Sequence, residues 1–184
     1  MKFKKITLIF FLASMVLQGS LHAQDFFKIE EGSINFKSDA PLELIEASST
    51  KLRGLINPKD NSFAFAVKMN SFQGFNSPLQ REHFNENYME SNQYPEATFS
   101  GRIIENVDLG RPGTYTIRAK GKLKIHGIEQ ERIIKCEVVS TDSGLQVSSS
   151  FTVFLEEHNI SIPKIVYQKI AEEIQVRIQA TLLK

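Results

Sequence analysis

The sequence predicts an all-β domain of about eight antiparallel strands closed into a barrel, with one helix in the 77–92 region and a short helical or irregular segment near 157–170. Three observations carry this. Apolar and polar residues alternate with period two over long runs, the pattern of strands buried on one face. Clusters of turn-forming residues separate the runs. One segment alone changes to helical spacing, and it opens with a helix-start signal.

Strands are expected at about 26–37 and 42–56. The turn Asn57-Pro58-Lys59-Asp60-Asn61 follows. In a third strand, at 61–71, Phe63, Phe65, Val67 and Met69 share one face, with Ala64, Ala66 and Lys68 opposite. Ser77-Pro78-Leu79-Gln80 then reads as an N-cap, a proline at the first helical position and a capping-box glutamine. Leu79, His83, Phe84, Asn87, Tyr88 and Ser91 fall on one helical face, so a helix is placed at about 78–91, ending before Pro95.

A strand at 97–105 precedes the turn Gly110-Arg111-Pro112-Gly113. The clearest alternation sets Tyr115, Ile117, Ala119, Gly121, Leu123 and Ile125 against Thr114, Thr116, Arg118, Lys120, Lys122 and Lys124. His126-Gly127 turns the chain into a strand at 129–140, and Asp142-Ser143-Gly144 turns it again. Leu145, Val147, Ser149, Phe151, Val153 and Leu155 form the next apolar face. Ile174, Val176, Ile178, Ala180 and Leu182 form the last.

Strands with one apolar face need a partner surface. Two stacked sheets or one closed sheet supply it, and closure also removes exposed edges. An eight-stranded barrel either fills with side chains or holds one small ligand. The small residues Ala119, Gly121, Ser149 and Ala180 on inward parity tilt the reading toward a cavity. A filled core with ordinary interdigitation is the alternative.

The 184 residues carry a net charge of +1, with 41% hydrophobic and 23% charged residues, which suits one globular domain. Phenylalanine is abundant, at 14 residues against four tyrosines and no tryptophan, and such surface fills a core or lines a cavity. Lys2, Lys4 and Lys5 precede the uncharged apolar run 6–17, and Leu21-His22-Ala23 ends the segment. This is the layout of a secretory signal peptide over 1–23, too short in its apolar run to span a membrane. The mature chain, 24–184, begins at Gln24 or within a few residues of it. It keeps 19 basic against 21 acidic residues, a net charge of −2 that offers no footprint for nucleic acid.

No constellation of catalytic residues stands out. His83, His126 and His158 lack metal-ligand spacing, and no Ser nucleophile elbow, phosphate loop or dinucleotide fingerprint occurs. His126 before Gly127 reads as turn chemistry. Cys136 alternates with Ile134 and Val138 and reads as a small buried apolar residue that cannot make an internal disulfide. Asp39, Glu43 and Glu46 read as a solvated strand end. The expectation is a binding protein without cofactor or metal, and not an enzyme.

Several stretches resemble the YceI-like lipid or polyisoprenoid-binding family. They are Ser33-Ile34-Asn35-Phe36 with Ala40-Pro41-Leu42-Glu43, the run Arg81 to Ser91, Tyr94-Pro95-Glu96-Ala97-Thr98-Phe99 with Gly101, and Gly121-Lys122-Leu123-Lys124-Ile125-His126-Gly127-Ile128. Phe151 to Leu155 and Ile160-Ser161-Ile162-Pro163 continue the likeness, which covers essentially the whole mature chain. The helix that carries His83 and Tyr88 is richer in Asn and Glu than in isoprenoid-binding members. The resemblance implies a lipocalin-like eight-stranded barrel with a hydrophobic tunnel. It also implies an exported, periplasmic or secreted, bacterial protein that holds a long apolar lipid such as a polyprenyl or quinone-like isoprenoid. A non-lipid structural or partner-binding barrel is the alternative. Strand parity points Phe63, Phe65, Met69, Phe99, Tyr115, Ile117, Leu123, Phe151, Val153 and Ile178 inward. Phe84 and Tyr88 on the helix either close one mouth of the barrel or make plain core contacts, and His83 on the same face is set to meet a polar head group. Transient membrane contact is compatible with this reading, and so is a homodimer.

Overall fold

The computed structural model describes residues 26–184; the leader expected at 1–23 lies outside the described residues. Nine strand segments run in chain order: β1 (Phe27–Asp39), β2 (Leu44–Ser49), β3 (Arg53–Asn57), β4 (Ser62–Lys68), β5 (Glu96–Ile103), β6 (Gly113–Ile125), β7 (Ile128–Thr141), β8 (Gly144–Phe154) and β9 (Glu173–Leu183). Every pairing is antiparallel. From β3 to β9 each strand pairs with the next, and β1 closes the barrel against β9. Segments β2 and β3 are two halves of one stave. Ile34 faces Ser49 and Phe27 faces Ile56, so both halves keep one register along β1. The expected strand at 42–56 is therefore interrupted, and the barrel has eight staves.

Local chemistry explains the joints. His126 and Gly127 both have positive φ, 50° and 77°, which gives the two-residue β6–β7 hairpin the twist its strands need. A side chain on Gly127 would also strike the Tyr94 ring at 2.6 Å. Gly121 faces Gly101 across β5 and β6. A Cβ on Gly121 would come within 2.2 Å of the Ser100 carbonyl oxygen, so its small size serves close strand approach.

The stretch between β4 and β5 departs from regular sheet. The strand expected at 61–71 stops at Lys68, where Met69–Ser71 form a 3-10 turn. Gln73 then bonds Ser48 through both backbone groups, so residues 69–76 cover the free edge of β2. Helix α1 (Pro78–His83) is capped by the Ser77 hydroxyl, which accepts from the Gln80 N–H. It is shorter than the expected 78–91, because Phe84–Tyr88 widen into a turn of π-helix in which the Met89 N–H reaches the Phe84 carbonyl. The segment around Pro163 holds two short 3-10 turns, Leu155–His158 and Lys164–Val166. No described helix is long and apolar enough to cross a membrane.

The two ends of the barrel differ. At the end where β1 starts and β9 finishes, Phe27, Leu109, Val138, Leu145 and Leu182 are buried almost completely. The Ser140 hydroxyl donates to the Leu109 carbonyl at 2.8 Å and holds the 104–112 loop across that end. The opposite end is hollow.

Candidate ligand-binding cavity

The hollow end holds a cavity of about 470 Å³. Its walls come from the sheet and from the two irregular segments. Ile34, Phe36, Val67, Leu123, Phe151, Val153 and Val176 face it from the strands. Met69, Phe72, Phe75, Phe84, Tyr88 and Met89 face it from the β4–β5 connection, and Leu155, Ile160, Val166 and Ile170 from the β8–β9 connection. The volume lies in the range of small-molecule sites, roughly 300–1,000 Å³. Ser38, Glu43, Ser77, Gln80, His83 and Lys169 are the polar and charged residues on the wall.

Four phenylalanines build one side. Phe36 stacks on Phe84 with ring centroids 5.3 Å apart, and Phe72 and Phe75 pack against both. Tilted and offset rings of this kind attract beyond the area they bury. Phe36 comes from β1 and Phe84 from the widened helical turn, so the stack ties the helical segment to the barrel. Burial raises the Tyr88 phenol above its ordinary pKa, so the hydroxyl stays neutral there.

A second, smaller space of about 110 Å³ lies deeper in the barrel. Phe63, Phe65, Phe99, Ile117, Ala119, Cys136, Ser149, Ile178 and Ala180 line it. Ile34, Val67, Ala97, Leu123 and Phe151 line both spaces, so one layer of side chains separates or joins them. Phe63 and Phe99 meet there at 4.9 Å between centroids. Burial raises the Cys136 thiol, an inert setting for a free cysteine.

Beside the wide cavity, a clasp joins the helical segment to the β6–β7 hairpin. The His126 Nε2 lies 2.6 Å from a Glu90 carboxylate oxygen, and its Nδ1 lies 3.1 Å from the His158 carbonyl. Tyr94 packs edge-on against the His126 ring. His158 is fully buried, with Nδ1 near the Ile128 carbonyl and Nε2 without a partner; burial lowers its pKa. His126 thus meets His158 through the His158 backbone carbonyl, and among the described residues no three His, Cys, Asp or Glu side chains gather as a metal site would require. The acids Asp39, Glu43 and Glu46 are also dispersed: Asp39 pairs with Lys37, and Glu43 accepts from Gln80.

The YceI-like domain model matches residues 22–182. The chain belongs to the YceI-like domain family. Among solved structures, this YceI-like chain is similar to a polyisoprenoid binding domain from Saccharophagus degradans, with a TM-score of 0.74, 13% identity, and coverage of 88% of this chain and 99% of that one. It is also similar to BcnA of Burkholderia cenocepacia, with a TM-score of 0.67, 16% identity, and coverage of 82% and 95%. A Campylobacter jejuni YceI protein follows with a TM-score of 0.61, 12% identity, and coverage of 76% and 85%. Identities this low carry the fold and not the ligand. Comparison with curated protein sequences returns no significant match.

Within this YceI-like barrel, the residues singled out by strand parity and on the helix divide between the two spaces, Tyr115 excepted. Met69, Phe84, Tyr88, Leu123, Phe151 and Val153 line the wide cavity, and His83 stands on its wall. Phe63, Phe65, Phe99, Ile117 and Ile178 line the narrow one, with Leu123 and Phe151 shared. Tyr115 lines neither: its hydroxyl donates to the Arg111 carbonyl at 2.9 Å, so it closes the filled end. Gly121 lines neither as well. Sequence reasoning missed Phe36, Phe72 and Phe75. Phe36 follows strand parity from Ile34 and was legible, whereas Phe72 and Phe75 lie in a connection with no periodicity.

Proposed function

We propose that this protein is an exported carrier that holds one long apolar lipid, of isoprenoid or similar character, with its tail in the wide cavity. The carrying observation is the 470 Å³ space itself, walled by apolar side chains. A barrel with a filled core describes the other end alone. The segment 1–23 supports export, and the export route favours a periplasmic or secreted location. Binding fits the wall, on which apolar side chains outnumber polar and charged ones.

Burying a methylene contributes about 0.8 kcal/mol against water. A lipid drawn from a membrane is already out of water, so most of that gain cancels. Shape fit along the aromatic side and contacts at Gln80, His83 and Lys169 then decide selectivity. The test is extraction of purified protein with organic solvent followed by mass spectrometry. A lipid near equimolar with protein is expected. A protein that emerges empty, and stays empty after incubation with a prenyl alcohol, would exclude the carrier role.

A further inference from the structure

We propose that the rim of the wide cavity is a docking surface for a lipid bilayer bearing anionic headgroups, an inference that rests on the carrier reading above. Three segments meet at this rim: 40–44, 77–83 and 163–170. The Leu42 N–H donates to the Gln168 carbonyl at 2.9 Å, and the Gln80 amide donates to Glu43 at 2.9 Å. These bonds hold the three segments as one surface.

Its composition is unusual for a face turned to water. Ile165 is 92% exposed, Leu42 67% and Tyr167 64%, the three most exposed large hydrophobic residues among those described. Leu79 and Leu44 stand on the same segments. Five of the nine exposed large hydrophobics therefore cluster at one end of the barrel, and such clustering marks a contact surface. The Lys164–Val166 turn puts Ile165 at the tip of its segment, flanked by lysines.

Charge selects the partner. Over the three segments Arg81, Lys164 and Lys169 stand against Glu43 and Glu82, and the stretch 159–171, which carries the exposed tip, contains both lysines and no acid. Both lysines are exposed, and neither enters an ion pair with a described residue. Apolar tips, an aromatic ring with a polar end and flanking lysines are the composition of segments that settle at the headgroup level of anionic membranes. Leu79 and Lys169 belong to both the rim and the cavity wall. A tail leaving a bilayer under this rim enters the cavity without crossing water, where each exposed methylene would slow transfer about fourfold.

The test is sedimentation of purified protein with vesicles of phosphatidylcholine, with and without phosphatidylglycerol. The protein is expected to sediment with the phosphatidylglycerol vesicles and more weakly with phosphatidylcholine alone. The double variant Ile165→Ser/Tyr167→Ser changes exposed residues that do not line the cavity. It should lose about tenfold or more in vesicle partition while its extractable lipid stays unchanged. Lys164→Gln should lose about fivefold, and on the anionic vesicles alone. Absence of vesicle binding, or undiminished binding by the double variant, would overturn the proposal. So would a dimer in sedimentation equilibrium that the double variant dissolves, because the rim would then serve a second copy. The two readings separate cleanly. A lipid-loaded protein that ignores vesicles sinks the docking surface alone, whereas rim-dependent vesicle binding by a protein that never holds lipid sinks the carrier alone.

Discussion

The closed end and the hollow end of this barrel are built from the same strands. Both have alternating apolar faces, and β6 runs through both. At the closed end the inward positions meet one another and a loop: Phe27, Leu145 and Leu182 interdigitate, and Leu109 caps them. At the hollow end the inward positions meet two irregular segments that stand off from the barrel axis. Alternation decides which side chains point inward, whereas the connections decide whether the space between them is filled. Hollowness in this fold is a property of the β4–β5 and β8–β9 connections.

If that is right, truncating side chains at the two ends has opposite consequences. Phe27→Ala opens a cavity in a close-packed region and should cost about 3–5 kcal/mol of unfolding free energy, read from urea midpoints. Lipid content per folded molecule should not change. Phe84→Ala enlarges a space that already exists and removes one partner from the phenylalanine stack. Its stability cost should be smaller, about 1–2 kcal/mol, because the side chain is half-buried and borders a void. Its effect on retained lipid, measured by mass spectrometry, should be the larger of the two. A reversal of either ranking would break the distinction between the ends.

Acid should loosen the hollow end first. His158 is fully buried beside the β6–β7 hairpin and the start of the β8–β9 connection, and its pKa lies below the ordinary value of 6.5. Below that value the unfolded chain takes up a proton that the folded one resists, so the unfolded state binds more protons and stability falls with falling pH. The loss begins as pH drops through about 6.5 and saturates below the lowered folded value, with a slope of at most about 1.4 kcal/mol per pH unit. His158→Asn should flatten that part of the stability profile in urea titrations run between neutral and mildly acidic pH. A profile as steep as the wild type would assign the acid sensitivity elsewhere.

The legible part of the molecule was the part governed by period. Strand faces, the His126-Gly127 hairpin and the Ser77-Pro78 helix start each have a local cause, and each is present. The barrel parity of Phe63, Phe65, Leu123 and Phe151 follows from the same cause. Tyr115 obeys parity too, yet it sits near the strand start, where the 104–112 loop claims its hydroxyl. Parity gives a direction and no height along the barrel. The widened turn at Phe84–Tyr88 and the cavity faces of Phe72, Phe75, Val166 and Ile170 depend on how non-periodic segments dock, and no local spacing encodes that. Gly121 shows the converse error: a small inward residue suggested free volume, while the structure uses it for strand contact with Gly101.

The smallest expected effect is the sharpest control on parity. Lys122 and Leu123 are neighbours on β6, and successive side chains on a strand face opposite sides. Leu123 is 5% exposed and lines both spaces. The Lys122 side chain is 64% exposed and reaches Glu129 at 3.1 Å on the outer surface. An exposed pair of this kind gains little Coulomb energy in water and loses side-chain entropy in forming. Lys122→Ala should therefore change unfolding free energy by no more than about 0.5 kcal/mol and leave extractable lipid unchanged. Leu123→Ala, one position along, should lower both, since it removes wall shared by the two spaces. Equal responses from the two variants would mean that the faces of β6 are not inside and outside, and the contrast between a filled and a hollow end would lose the strand on which it is drawn.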